Sequence, residues 1–190
     1  HQVRQLQTAL ESWELPVVII GPNADPGAAR VDLAWRRWAA GRRKTSYQTS
    51  VGPHHFWNLM AGASVMVGNS SASMIEAASF GLPVVNVGTR QAGRFCPANV
   101  INVPCLAADI REGIRHALTP EFQGQVRALP NPLWRGGAAK LIVEVLRTVE
   151  LGDALLRKRF VPLGSSPERT PRVRRRRRPL SRTVQTDRPH

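Results

Sequence analysis

Residues 68–94 read GNSSASMIEAASFGLPVVNVGTRQAGR, and the four residues before them, Ser64–Val67, read SVMV. The apolar run Ser64–Val67 is a strand that ends at Gly68 and hands over to a polar turn, Asn69-Ser70-Ser71. A helix is expected from about Ser73 to Ser79, a stop at Gly81-Leu82-Pro83, and a second strand over Pro83–Val87 (PVVNV). In an open α/β sheet, ligands sit outside the carboxyl ends of the strands, where the first N–H groups of a helix have no partners. An anion is the expected guest of such a turn. Ser70 and Ser71 add hydroxyl donors, and Gly68 and Ala72 are small enough for backbone to come close to a phosphate. The same residues also admit a plainer reading, because Ser73-Met74-Ile75-Glu76 is an S-x-x-E capping box whose two side chains satisfy a helix start and nothing more.

Working outward, Leu15–Ile20 (LPVVII) reads as a buried strand closed by Gly21-Pro22-Asn23. Ala28–Trp38 reads as a helix started by Asp25-Pro26-Gly27, Thr45–Val51 as a weaker strand, and His54–Ala61 as a short helix after Gly52-Pro53. Val100–Val103 (VINV) is a further strand, and Ala107–Leu118 and Gly137–Val149 are amphipathic helices expected to cover the sheet. Strands and helices alternate over short connections. That order predicts an α/β, doubly wound, mainly parallel, Rossmann-like sheet.

With 190 residues, the chain suits one well-packed domain with a tail, and it has no uninterrupted apolar run of membrane-spanning length. The net charge of +14 points toward nucleic acid until its location is considered. From Arg157 onward 12 Lys and Arg face 2 acids, whereas the preceding residues hold 15 against 11. The excess therefore belongs to a tail, residues 161–190, rich in Arg and Pro and expected to be disordered. Nucleic acid is expected there if anywhere. Cys96 and Cys105 are too few for a disulfide framework, which suggests a cytoplasmic setting. The chain opens on His1 already in an amphipathic pattern, as a fragment whose beginning lies upstream would.

The whole 68–94 run resembles the signature of the hydrolysing UDP-N-acetylglucosamine 2-epimerases, especially those of sialic-acid and related sugar synthesis. The likeness recurs in Pro22-Asn23-Ala24-Asp25-Pro26-Gly27, similar to a PN-x-D-x-G loop, in Asn99–Val103, similar to an ENVI-x-V strand, and in Leu155–Phe160, similar to a closing LLRKRF segment. It spans roughly Val17–Phe160. The resemblance implies a GT-B type enzyme with UDP-sugar between two Rossmann-like domains, of which residues 1–160 correspond to the second. The N-terminal domain, which carries the family's catalytic acids and histidine, would be missing.

On that resemblance Ser70 and Ser71 would meet the diphosphate, Glu76 the ribose hydroxyls, Arg90 the UDP site, Asn23 its margin, and Val51, through main chain, the uracil. A carboxylate can accept from a vicinal diol, and hydroxyls and a guanidinium suit phosphate oxygens. Arg90 and Arg94 could instead be surface charges, although the GTRQ context of Arg90 favours a role in the site, and Asn23 could build an Asx turn. Family members commonly have Gly where this chain has Ser73, so a side chain there could crowd the phosphate. His54 and His55 open a helix at the uridine end, away from the sugar, and are poor candidates for a base. The implied chemistry is loss of the C2 proton and of UDP to give 2-acetamidoglucal, then hydration to N-acetylmannosamine, with no cofactor and no metal. A homo-oligomer is expected of the full-length protein. Two rivals stand beside this reading: the donor domain of a GT-B glycosyltransferase, and a non-catalytic module binding nucleic acid through its basic tail.

Overall fold

The computed structural model describes residues 1–134 and 136–156. The Arg/Pro-rich tail, and all but Leu155 and Leu156 of the closing LLRKRF segment, lie outside the described residues. Residues 1–138 pack as one compact unit, and the residues from 139 onward form a second.

The first unit opens with helix α1 (Gln2–Glu11) and runs through β1 (Val17–Ile20), α2 (Ala28–Ala40), β2 (Thr45–Gln48) and α3 (Gly52–Gly62). It continues with β3 (Met66–Gly68), α4 (Ser71–Ile75), a 3-10 turn over Ala77–Phe80, β4 (Val84–Val87), β5 (Val100–Val103), α5 (Ala107–Ala117) and α6 (Pro120–Ala128). Every strand pair is parallel, as the alternation of strand and helix requires. The strands form two sheets, β1-β2 and β3-β4-β5. The α/β, Rossmann-like expectation is met, with the sheet divided.

β4 lies in the middle of its sheet and all four of its residues are buried, as suits a central parallel strand. Its side chains alternate. Val85 and Val87 join Ala9 of α1 and Ile110, Ile114 and Ala117 of α5 in one cluster, while Val84 joins Met60 of α3, Ala77 and Leu82 in another. Helices therefore cover both faces. Gly113 lets α5 lie close, because a Cβ there would meet Val103 Cγ1 at 2.9 Å and Val85 Cγ1 at 3.0 Å. The amide of Ala107 at the start of α5 receives its acceptor from α1, bonding Gln5 Oε1 at 2.7 Å.

The smaller sheet has its own cluster of Ile19, Trp35 and Ala39. Leu6 and Leu10 of α1 pack against this cluster and also against the cluster beneath β4, so α1 joins the two halves. β1 is less buried than its apolar sequence suggests: Ile19 is buried and Val18 is exposed, since β2 is the strand it pairs with. At the carboxyl ends of these strands Arg36 bonds Asp32 (2.6 Å) and Thr49 Oγ1 (2.6 Å), and the Tyr47 hydroxyl donates to Asp32. Arg36 also lies over the Tyr47 ring at 4.6 Å. The hydrogen bond from Arg36, then that from Tyr47, holds the Asp32 carboxyl below the usual carboxylate range.

Helix α6 is absent from the sequence reading, although Thr119-Pro120-Glu121 carries a start signal: Thr119 Oγ1 accepts from the Phe122 amide at 3.2 Å, with Pro120 in the first turn. In the second unit, α7 (Ala138–Thr148) begins at the boundary and α8 (Asp153–Leu156) follows; none of the α7 side chains is buried. Among the described residues no helix is long and apolar enough to cross a membrane.

Candidate functional site

Three loops at the carboxyl ends of strands come together: residues 21–27 after β1, Asn69–Ser71 after β3, and Gly88–Arg94 after β4. The join is the Asn69 carbonyl, which accepts from Arg90 Nη1 at 3.1 Å and from Gln91 Nε2 at 2.6 Å. Arg90 also faces Asp25, with Nη2 3.6 Å from Oδ2; both side chains are largely exposed, at 51% and 68%. Arg90 is thus held between two neighbouring loops, through Asn69 and Asp25, while its charge remains open to solvent. That arrangement departs from a free surface arginine.

The helix starts two residues earlier than the sequence reading puts it. Ser70, rather than Ser73, caps α4, its Oγ accepting from the Ala72 amide at 3.3 Å. Ser73 is buried and its hydroxyl donates to the Ser70 carbonyl. The S-x-x-E capping box does not form, because Glu76 stands at the far end of α4 and bonds Trp57 instead. The hydroxyl expected to crowd a phosphate is turned back into the helix start. Helix α4 has 5 residues before the chain tightens into the 3-10 turn, so its macrodipole is slight. Any anion affinity here rests on local N–H groups, the Ser70 and Ser71 hydroxyls and Arg90. The stop at Gly81 is as read, in a left-handed conformation (φ 58°) with its N–H bonded to Ala78.

Glu76 is partly exposed, and its Oε2 accepts from the indole Nε1 of Trp57 at 2.7 Å. Trp57 lies on α3, whose N-cap is Val51, so the residue proposed beside a base and the one proposed beside a ribose belong to elements tied together. His54 packs edge-on against Trp57 at 5.5 Å, and both His54 and His55 are exposed. Asn23 is exposed in the loop that carries Asp25 and has no hydrogen-bond partner among the described residues. Arg94 is exposed on the rim of a cavity of about 220 Å³ that Asn86, Gln91, Cys96 and Asn102 also line. Asn86 donates to Asn102 Oδ1 at 2.8 Å, and the buried Asn86 Oδ1 and Gln91 Oε1 have no hydrogen-bond partner among the described residues. Sequence reasoning passed over Trp57 and Gln91. Gln91 adjoins Arg90 in the same motif, whereas Trp57 has no local signal, being 19 residues from its partner. Among the described residues no three His, Cys, Asp or Glu cluster as metal ligands.

With this geometry in place, comparison with known proteins is informative. The family model described as UDP-N-acetylglucosamine 2-epimerase matches residues 1–147. The chain belongs to that family. Within the 2-epimerase family it is 32% identical over 154 residues to UDP-N,N'-diacetylbacillosamine 2-epimerase (hydrolyzing) of Legionella pneumophila, a match covering 80% of this chain and 39% of the relative. It is 28% identical over 159 residues to UDP-N-acetylglucosamine 2-epimerase of Neisseria meningitidis serogroup B, covering 82% and 40%. Among solved structures, the Neisseria meningitidis UDP-GlcNAc 2-epimerase bound to UDP-GlcNAc superposes with a TM-score of 0.56 at 18% identity, over 77% of this chain and 40% of that one. A putative UDP-N-acetylglucosamine 2-epimerase of Listeria monocytogenes gives 0.60 at 16%, over 78% and 40%. The fold is shared with these epimerases, and the chain spans about two fifths of the length of the relatives it matches.

Proposed function

We propose that this chain is the UDP-binding part of a UDP-N-acetylglucosamine 2-epimerase of the hydrolysing kind, gripping UDP at the Asn69–Ser71 turn. The observation that carries the proposal is the double hydrogen bond of Arg90 and Gln91 to the Asn69 carbonyl, which ties the loop bearing the guanidinium to the turn that carries Ser70 and Ser71. Ser70, Ser71 and Arg90 would meet the diphosphate, Glu76 the ribose, the Val51 main chain the uracil, and Asn23 the margin of the site. As the bond from sugar C1 to the β-phosphate breaks, charge grows on that phosphate, and donors fixed beforehand stabilise it more than the intact substrate. The departing group is UDP; the C2 proton would go to a base in an N-terminal domain, giving 2-acetamidoglucal, and water would add to it.

A carboxylate already occupies Arg90. Asp25 stands where it competes with an incoming anion, so binding exchanges one partner of the guanidinium for another. The test is calorimetric titration of the full chain with UDP. Saturable binding that weakens about 10- to 100-fold in Arg90→Ala, the worth of a charged hydrogen bond, is expected. Failure to bind UDP at millimolar concentration, with the fold intact by circular dichroism, refutes the proposal. The chain by itself is expected to release no UDP from UDP-N-acetylglucosamine; turnover abolished by Arg90→Ala would place a base within these residues.

A further inference from the structure

Resting on the reading of Glu76 as the ribose acceptor, we infer that Trp57 is a positioning residue for nucleotide recognition, its indole N–H holding the Glu76 carboxylate ready for the ribose diol. A glutamate at the end of a five-residue helix has three side-chain torsions to fix before it can accept from two adjacent hydroxyls. The indole fixes them in the ligand-free protein. Its Nε1 is a donor with no accepting capacity, so the 2.7 Å bond has one sense, indole to Oε2. Oε1 has no hydrogen bond to any described residue and keeps its full accepting capacity for a ligand hydroxyl.

Trp57 is itself positioned. It stands on α3, which is anchored through Met60 in the cluster with Ala77, Leu82 and Val84, and the 3-10 turn that follows Glu76 packs on the same cluster. His54, one turn earlier on α3, meets the indole edge-on and limits its rotation. The donor and the acceptor thus stand on two elements sharing one buried patch, and the indole face remains partly exposed beside them, 42% of Trp57 being accessible. The arrangement removes rotamer freedom from Glu76.

The test compares UDP with 2′,3′-dideoxy-UDP by calorimetry in the wild-type chain of 190 residues and in Trp57→Phe, Glu76→Ala and the double variant. Trp57→Phe is expected to weaken UDP about fivefold, a part of the rotamer freedom restored to Glu76, and to leave dideoxy-UDP unchanged. In the Glu76→Ala background the same change should have no effect on either ligand. Equal weakening of both ligands, as lost stacking or packing would give, overturns the inference, as does no weakening of either. A wild-type chain that binds UDP and dideoxy-UDP equally overturns the ribose reading itself, and this inference with it. A measurement without ligand guards against a misfolded Trp57→Phe: of the five tryptophan indole N–H resonances, one should move upfield in Glu76→Ala as its charged acceptor is lost. Five unmoved resonances refute the contact on which the inference stands.

Discussion

Alanine at Gly113 should destabilise the protein although alanine is the best helix former and glycine among the poorest. Gly113 lies within α5, where the exchange alone favours folding by about 1 kcal/mol. Against this, the added methyl would sit 2.9 Å from Val103 Cγ1 and 3.0 Å from Val85 Cγ1. Both distances are far inside van der Waals contact, and the two valines stand on adjacent strands, so no single rotamer change relieves both. Val85 is wholly buried. The helix must move off the sheet, and overpacking of this kind costs about 1–3 kcal/mol. The net expectation is a loss of about 1 kcal/mol. Gly124 in α6 is the control: a Cβ there meets nothing within 4 Å, so Gly124→Ala should keep the propensity gain of up to about 1 kcal/mol. Thermal unfolding followed by circular dichroism should move Tm in opposite directions for the two variants, by about 3 °C each. A Gly113→Ala protein as stable as the wild type, or rising in step with Gly124→Ala, would refute the close approach of α5 to the sheet.

Three other outcomes can be measured. Asp25→Ala should tighten UDP by up to about fivefold, because it frees Arg90 from an exposed competitor; weaker binding in calorimetry would show that Asp25 helps to place the guanidinium. Asn99 is buried with Nδ2 bonded to the Leu82 carbonyl at 2.8 Å, so Asn99→Ala, which strands that carbonyl, should cost about 1–3 kcal/mol in urea unfolding; a neutral result would mean water replaces the amide. The lowered Asp32 carboxyl contributes stability that is present above its unfolded value near ~4 and lost as pH falls through the lower folded value. Asp32→Asn should therefore be less stable than the wild type at neutral pH, with the difference closing as the solution is acidified, and a pH-independent difference would refute this linkage.

The alternation of strands and helices was legible because each strand is a short apolar run closed by a turn residue; Val100–Val103 falls where its sequence puts it. Boundaries slipped where several residues could serve one role. Ser70, Ser71 and Ser73 are all competent caps, and the choice of Ser70 depends on where β3 ends. Thr119-Pro120-Glu121 was a start signal without a strong apolar stripe behind it, and α6 went unread. The likeness of the 68–94 run to a family was legible in full. The pairings that shape the candidate site were not: Trp57 to Glu76 and Asp25 to Arg90 join elements that only tertiary packing brings together, and neither pair has a spacing that local geometry would favour.

The division of the strands into two sheets has a consequence for the site. Among the described residues no ladder hydrogen bond joins β1 to β3, so the loop bearing Asn23 and the turn bearing Ser70 are anchored in separate sheets. Leu6 and Leu10 of α1, packed against the cores of both sheets, supply apolar contact between them. A nucleotide touching both loops would bridge the two sheets. The Asp25–Arg90 ion pair already spans that division, from the loop after β1 to the loop after β4.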